Sequence, residues 1–123
     1  MQIERLAIPG VVQITPPRHG DHRGYFSVTY NRQLLAELGI DADFLQDNQS
    51  WSAAAGTVRG LHFQYPPAEQ AKLVRVVKGR ALDVVVDARR DSPAFGQHIK
   101  SELSADRKST RLNSSHITIS YAV

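Results

Sequence analysis

The sequence contains no cysteine, which excludes disulfide cross-links and thiolate chemistry. That absence fits a cytoplasmic protein. No apolar run approaches the roughly 18 residues a membrane helix needs. The N-terminal Met-Gln-Ile-Glu-Arg has neither an apolar core nor a small-residue cleavage site, so no signal peptide is expected. Charge of one sign is also lacking. The net charge is +3. Residues 106–123 hold Arg107, Lys108 and Arg111 against Asp106, and the first 105 residues are left at about +1. Such a body offers no groove for nucleic acid and no face for an anionic membrane. An anionic ligand must be met by a few placed cations. No internal repeat, phosphate loop, dinucleotide fingerprint or nucleophile elbow occurs.

With 123 residues, 41% hydrophobic and 22% charged, the chain is one soluble domain at most. Its pattern is mostly that of strands. Residues 3–17 read as a strand pair entering the Pro16-Pro17 turn, and residues 19–24 as a loop. Residues 25–30 alternate as a strand does. Asn31 caps the one convincing helix, with Leu34, Leu35 and Leu38 at helical spacing and Gly39 at its end. Residues 44–50 read as a short strand running into a polar corner. Further strands are expected over 57–65, 71–77, 81–88 and 95–103, with Lys78-Gly79 as a tight hairpin between two of them. Short strands at near-regular spacing predict an all-β sandwich or barrel with one short helix.

The chemistry gathers in Val58-Arg59-Gly60-Leu61-His62-Phe63-Gln64 and Gln70-Ala71-Lys72-Leu73-Val74-Arg75. His62 can act as a base near neutral pH, or be a packed histidine. Lys72 shares a strand face with Val74 and Val76, where a cation is costly unless paired or used. It can equally snorkel to water. Arg59 has the fork that clamps a phosphate, or makes a surface ion pair. Asp83 shares a face with Val85 and can point inward, to orient His62, pair with Lys72 or serve a structural cation. On an ideal strand Arg59 and His62 face opposite ways, so a common pocket requires a bulge at Gly60 or Arg59 at a barrel mouth. His62-Phe63-Gln64 supplies one histidine where metal-binding cupins need two, so no metal site is read, and His19 and His22 are loop histidines.

Asp21-His22-Arg23-Gly24-Tyr25-Phe26, Gln46-Asp47-Asn48, the two segments above, residues 83–89 and Ser92-Pro93-Ala94-Phe95-Gly96 follow one another at characteristic distances. Together they closely resemble the dTDP-4-dehydrorhamnose 3,5-epimerase family over roughly residues 3–105. The resemblance implies a cupin-type jelly roll (a double-stranded β-helix), here truncated, working as a homodimer without metal or redox cofactor. It implies a dTDP-linked 4-keto-6-deoxyhexose as substrate, epimerised at C3 and C5 through an enolate. His62 then matches the base and Lys72 the group facing the C4 oxyanion. Asp83 stands as the buried carboxylate beside them. Arg23, Phe26 and Arg59 match nucleotide-sugar contacts, and Gln46, Asp47 and Asn48 the segment binding the nucleotide end. One departure is Val28, where the family usually carries a glutamate that helps bind the nucleotide. A sister 3-epimerase or ketoisomerase, or a cupin that only binds the nucleotide sugar, are the alternatives.

The resemblance stops after Ala105. Residues 106–123 instead resemble, codon for codon, the conceptual translation of a common short-read sequencing adapter. The expected organisation is a partial epimerase domain over 1–105 and a non-native tail over 106–123. Ser109, Ser114, His116 and Tyr121 therefore receive no function. The family's later part supplies a tyrosine acid, a pocket histidine, a carboxylate for the base and the closing strands. The chain as given is thus expected to be inactive and poorly stable, with open strand edges.

Overall fold

The computed structural model describes residues 1–106, 109–113 and 117–122, the last six as backbone. Ser114 and His116 lie outside the described residues. The elements are β1 (Gln2–Arg5), β2 (Val11–Thr15), β3 (His19–Asp21), β4 (Gly24–Phe26), α1 (Arg32–Glu37), β5 (Val58–His62), β6 (Lys72–Arg75), β7 (Arg80–Asp87), β8 (His98–Ser104), β9 (Thr110–Asn113) and β10 (Ile117–Ala122). They form two four-stranded sheets, β1-β2-β9-β6 and β5-β10-β7-β8, and a separate β3–β4 hairpin. Each pairing is antiparallel.

Within the first sheet, β2 buries residues on both faces. Successive residues of a strand point to opposite sides. Val11 accordingly packs with Ile8, Val85 and Ala94 between the sheets. Val12 and Ile14 pack on the other side with Leu35 and Ile40, beneath the helix. The helix starts where the sequence predicts. Asn31 is extended (φ −152°), and its side chain accepts from the Leu34 amide at 3.0 Å. Of the leucine stripe only Leu35 is fully buried. Asn31→Ala is expected to lower stability by about 1 kcal/mol, read from chemical denaturation midpoints; an unchanged midpoint would show that the cap contributes nothing.

Three expectations need correction. Residues 19–24 are largely a hairpin, β3–β4, rather than a loop. Residues 44–50 form no strand: Leu45 and the polar residues after it are exposed, and Gln46 bonds its near neighbour Asn48 at 2.9 Å. Lys78-Gly79 does not close a hairpin, because β6 and β7 lie in different sheets. Gly79 (φ +74°) carries the chain from one sheet to the other, and its carbonyl accepts from the Ala105 amide at 3.0 Å. β7 instead finds long antiparallel partners in β8 and β10. No helix among the described residues is long and apolar enough to cross a membrane.

Candidate functional site

The parity problem is resolved at Gly60. β10 pairs Ile119 with His62 but Tyr121 with Arg59, so two steps on β10 span three on β5. The extra residue is a bulge, and Gly60 holds φ +109°, a region that other residues rarely adopt. Paired residues in an antiparallel sheet project to the same side. Through β10, Arg59 falls in one row with Asp83, and His62 in one row with Val85. Asp83 and Val85 are fully buried between the sheets. Arg59 and His62 therefore share the inner face of the second sheet.

Lys72 reaches the same interval from the opposite sheet. It pairs with Asn113, and Val74 pairs with Arg111. The Arg111 side chain crosses to Asp83, with Nε 3.4 Å from a carboxylate oxygen, so this face of β6 is the inner one. The two sheets also run the same way. Val11 of β2 packs with Val85 of β7, beside Ile99 of β8. Arg111 of β9 meets Asp83 of β7. That order puts β6 alongside β10 and β5. Arg59, His62 and Lys72 thus line one edge of the sandwich, with His62 exposed and the two cations half-buried. A polar cleft of about 450 Å³ elsewhere, lined by Gln13, Thr15, Ser101, Glu102 and Ser109, includes none of them.

Asp83 points inward as expected, but its ion-pair partner among the described residues is Arg111 rather than Lys72 or His62. Both members are fully buried. Among the described residues, neither Asp83 oxygen, and none of the three guanidinium nitrogens of Arg111, makes a hydrogen bond; Thr110 Oγ1 and both Asn113 side-chain polar atoms are likewise unsatisfied there. Burial pushes the Asp83 carboxyl up to about 6 against the opposing pull of Arg111. Burial also lowers Arg111 from its ordinary range, with Asp83 acting in the opposite sense.

The remaining sequence-predicted residues lie outside this interval. Arg23 and Phe26 sit on the exposed β3–β4 hairpin, where the Asp21 carboxylate takes the Arg23 guanidinium at 2.6 Å. That hydrogen bond holds Asp21 below the usual carboxylate range. Gln46, Asp47 and Asn48 are exposed in the irregular segment before β5. Val28 is half-buried beside Ser27, whose hydroxyl donates to the Pro17 carbonyl at 2.8 Å. Among the described residues no three His, Asp or Glu side chains gather as metal ligands.

Sequence reasoning missed two groups. Arg59 Nε donates to Ser52 Oγ at 3.2 Å and Nη2 to the Trp51 carbonyl at 3.1 Å. At the far end of β7, buried Asp87 receives Arg89 Nε at 2.9 Å, while Arg89 Nη2 also reaches the Pro9 carbonyl at 2.7 Å. The Arg89 bond, foremost, holds Asp87 down to about 2. The Asp-x-Arg spacing was the only sequence signal for the second group. The first group had none.

Two packed antiparallel sheets with one short helix, and a histidine, a lysine and an arginine at one edge, define a jelly roll of the cupin type. The model of the family described as dTDP-4-dehydrorhamnose 3,5-epimerase matches residues 5–117, and the chain belongs to that family, a family of isomerases. The protein of that description from Pseudomonas aeruginosa is 48% identical over 109 residues, 88% of this chain and 59% of its own. A crystal structure of the enzyme from Bacillus anthracis, with TDP and PPi bound, superposes with a TM-score of 0.96 at 40% identity, covering 98% of this chain and 69% of that one. A 3'-monoepimerase from Streptomyces bikiniensis in complex with dTDP-quinovose superposes at 0.84, with 31% identity over 95% of this chain and 59% of that one. The chain spans less than two thirds of the length of the curated relatives it matches.

Proposed function

We propose that the natural protein of which this chain is a part inverts C3 and C5 of dTDP-4-dehydro-6-deoxy-D-glucose, giving dTDP-4-dehydro-L-rhamnose for dTDP-rhamnose biosynthesis. The bulge at Gly60 is the observation that supports the reading, since it brings His62 and Arg59 to one inner face. The C4 carbonyl acidifies both neighbouring C–H bonds. His62 takes the proton from carbon, and the electron pair moves into the C3–C4 or C4–C5 bond while the carbonyl π pair passes to the C4 oxygen. Lys72 stabilises that oxyanion as it forms. An acid from beyond this chain returns a proton to the opposite face. Asp83, which meets Arg111 in this chain, is the buried carboxylate available to orient His62 or pair with Lys72 once the natural residue stands in place of that arginine. Arg59 and Arg23 hold the diphosphate, Phe26 lies against the nucleotide sugar, and Gln46, Asp47 and Asn48 hold the nucleotide end. The working protein is a cytoplasmic homodimer that binds neither nucleic acid nor membrane, and its chemistry invokes no cofactor.

Residues 106–123 are proposed to be non-native, and the polypeptide as given to be inactive. The match to the family model runs past Ala105 to residue 117, so the backbone follows the family beyond the resemblance read in the sequence, but the side chains of β9 do not suit it. β9 is buried throughout, and a strand buried on both faces is normally a continuous apolar run. Here only Leu112 packs in a core cluster, while Thr110, Arg111 and Asn113 carry unsatisfied buried atoms. Resequencing the locus decides the point: an authentic reading frame through 106–123 overturns it.

The reaction is tested by incubating the uninterrupted protein with the 4-keto sugar nucleotide in deuterated water. Deuterium at both C3 and C5 is the expected result. Deuterium at C3 alone identifies a 3-epimerase, the alternative that the departure at Val28 keeps open. Deuterium at neither carbon, with binding retained, identifies a silent cupin.

A further inference from the structure

We infer that Ser52 is a positioning residue for the diphosphate site, acting through Arg59; the inference rests on the proposed role of Arg59 in holding the diphosphate. The segment between the nucleotide-end residues and β5 is irregular, yet its last part is built. Thr57 Oγ1 donates to the Ala54 carbonyl at 2.7 Å, and Gly56 (φ +78°) turns the chain between them. That turn brings residues 51 and 52 back against β5. The Ser52 hydroxyl then accepts from Arg59 Nε, and the Trp51 carbonyl accepts from Nη2. Both contacts lie on one edge of the guanidinium. The ring of Trp51 is itself approached by Lys78, whose Nζ is 5.5 Å from the centroid.

A guanidinium recognises phosphate through a planar fork, so affinity depends on the direction in which that fork points. A free arginine side chain must surrender rotamer entropy to take one direction. Holding the Nε edge against Ser52 and Trp51 removes that freedom before the ligand arrives. It also couples Arg59 to the loop that carries Gln46, Asp47 and Asn48, so that the two ends of the nucleotide diphosphate meet parts of one unit. Ser52 supplies the only side-chain acceptor of this pair of contacts, and a hydrogen bond to a charged donor is stronger than a neutral one.

The test uses the uninterrupted protein and its nucleotide-sugar substrate. Ser52→Ala is expected to raise KM about tenfold with kcat changed less than twofold and the melting temperature held. Ser52→Thr, which keeps the hydroxyl, is expected to restore KM. Arg59→Ala is expected to raise KM further, and adding Ser52→Ala to it to change nothing more, because the serine acts only through the arginine. Should Ser52→Ala be recovered unfolded, Ser52→Cys, of similar size but a weak acceptor, carries the same expectation. An unchanged KM in the Ser52 variants beside a raised KM in Arg59→Ala, or additive losses in the double variant, overturns the inference alone. An unchanged KM in Arg59→Ala overturns the role of Arg59 and the inference with it.

Discussion

In the uninterrupted protein, His62→Ala is expected to cut deuterium incorporation at C3 and C5 by about a thousandfold, within the range found for removal of a positioned general base. Lys72→Ala is expected to cost about a hundredfold or more, as when an oxyanion donor is lost. Both should leave KM within a fewfold of its starting value, because in the proposed scheme the two groups act on charge that appears only as the proton leaves carbon. Solvent exchange followed by NMR reads the chemical step directly and separates the carbons. A His62→Ala protein that still exchanged at both positions would remove the base from the scheme, whatever the family resemblance implies. The prediction follows from His62 and Arg59 sharing the inner face across a bulge. Without the extra residue, one of them would face outward.

The second large effect concerns the given chain and the pair Asp83–Arg111. The Asp83 carboxyl is raised to about 6 by burial, above the 3.8 of a free aspartate. A raised carboxyl favours the folded state while it is protonated, so its contribution is complete below 3.8 and is lost as pH rises through about 6. The loss is on the order of 3 kcal/mol. Asp87 works in the other sense. Its carboxyl is held down to about 2, so its contribution is present above 3.8 and disappears as pH falls through 2. Stability set by this pair of carboxylates should therefore peak near pH 4. Denaturation between pH 2 and 8 measures both limbs, and Asp83→Asn is expected to flatten the upper one while leaving the lower intact. Replacing the pair by Asp83→Val with Arg111→Leu is expected to stabilise the chain at pH 7 by about 1–4 kcal/mol, since burial of two poorly bonded charges costs more than their attraction returns. A less stable double variant would mean that the guanidinium is a proper occupant of its site, and would weaken the case against residues 106–123.

Local physics was readable in the sequence where one or two residues decide it. Asn31 opens the helix because its side chain is short and accepts from an amide three residues on, and the odd spacing of Arg59 and His62 called for a bulge at Gly60 or for Arg59 at a barrel mouth, of which the structure has the bulge. Partner choice was not readable. Gly79 turns the chain tightly, but whether the strands beside it pair with each other depends on β8, β9 and β10, all later in the sequence. Residues 44–50 carry a strand-like composition without a neighbour to complete the ladder. The contact of Ser52 with Arg59 closes over seven residues through a turn whose shape no periodicity encodes. The mismatch at β9 needed both levels. The tail's likeness to translated adapter sequence was visible in the sequence, yet only the packing shows Arg111 enclosed against Asp83.

β9 and β10 come last in the sequence but lie inside their sheets, each between two strands made earlier. β5 and β7 have no common partner until residues 117–122 join them, and β2 and β6 none until residues 110–113 do. Neither sheet can close before these late strands pair, so folding is slow, as expected where most contacts join distant residues. The strand edges that wait for these late partners are the surfaces through which two unfinished copies would associate.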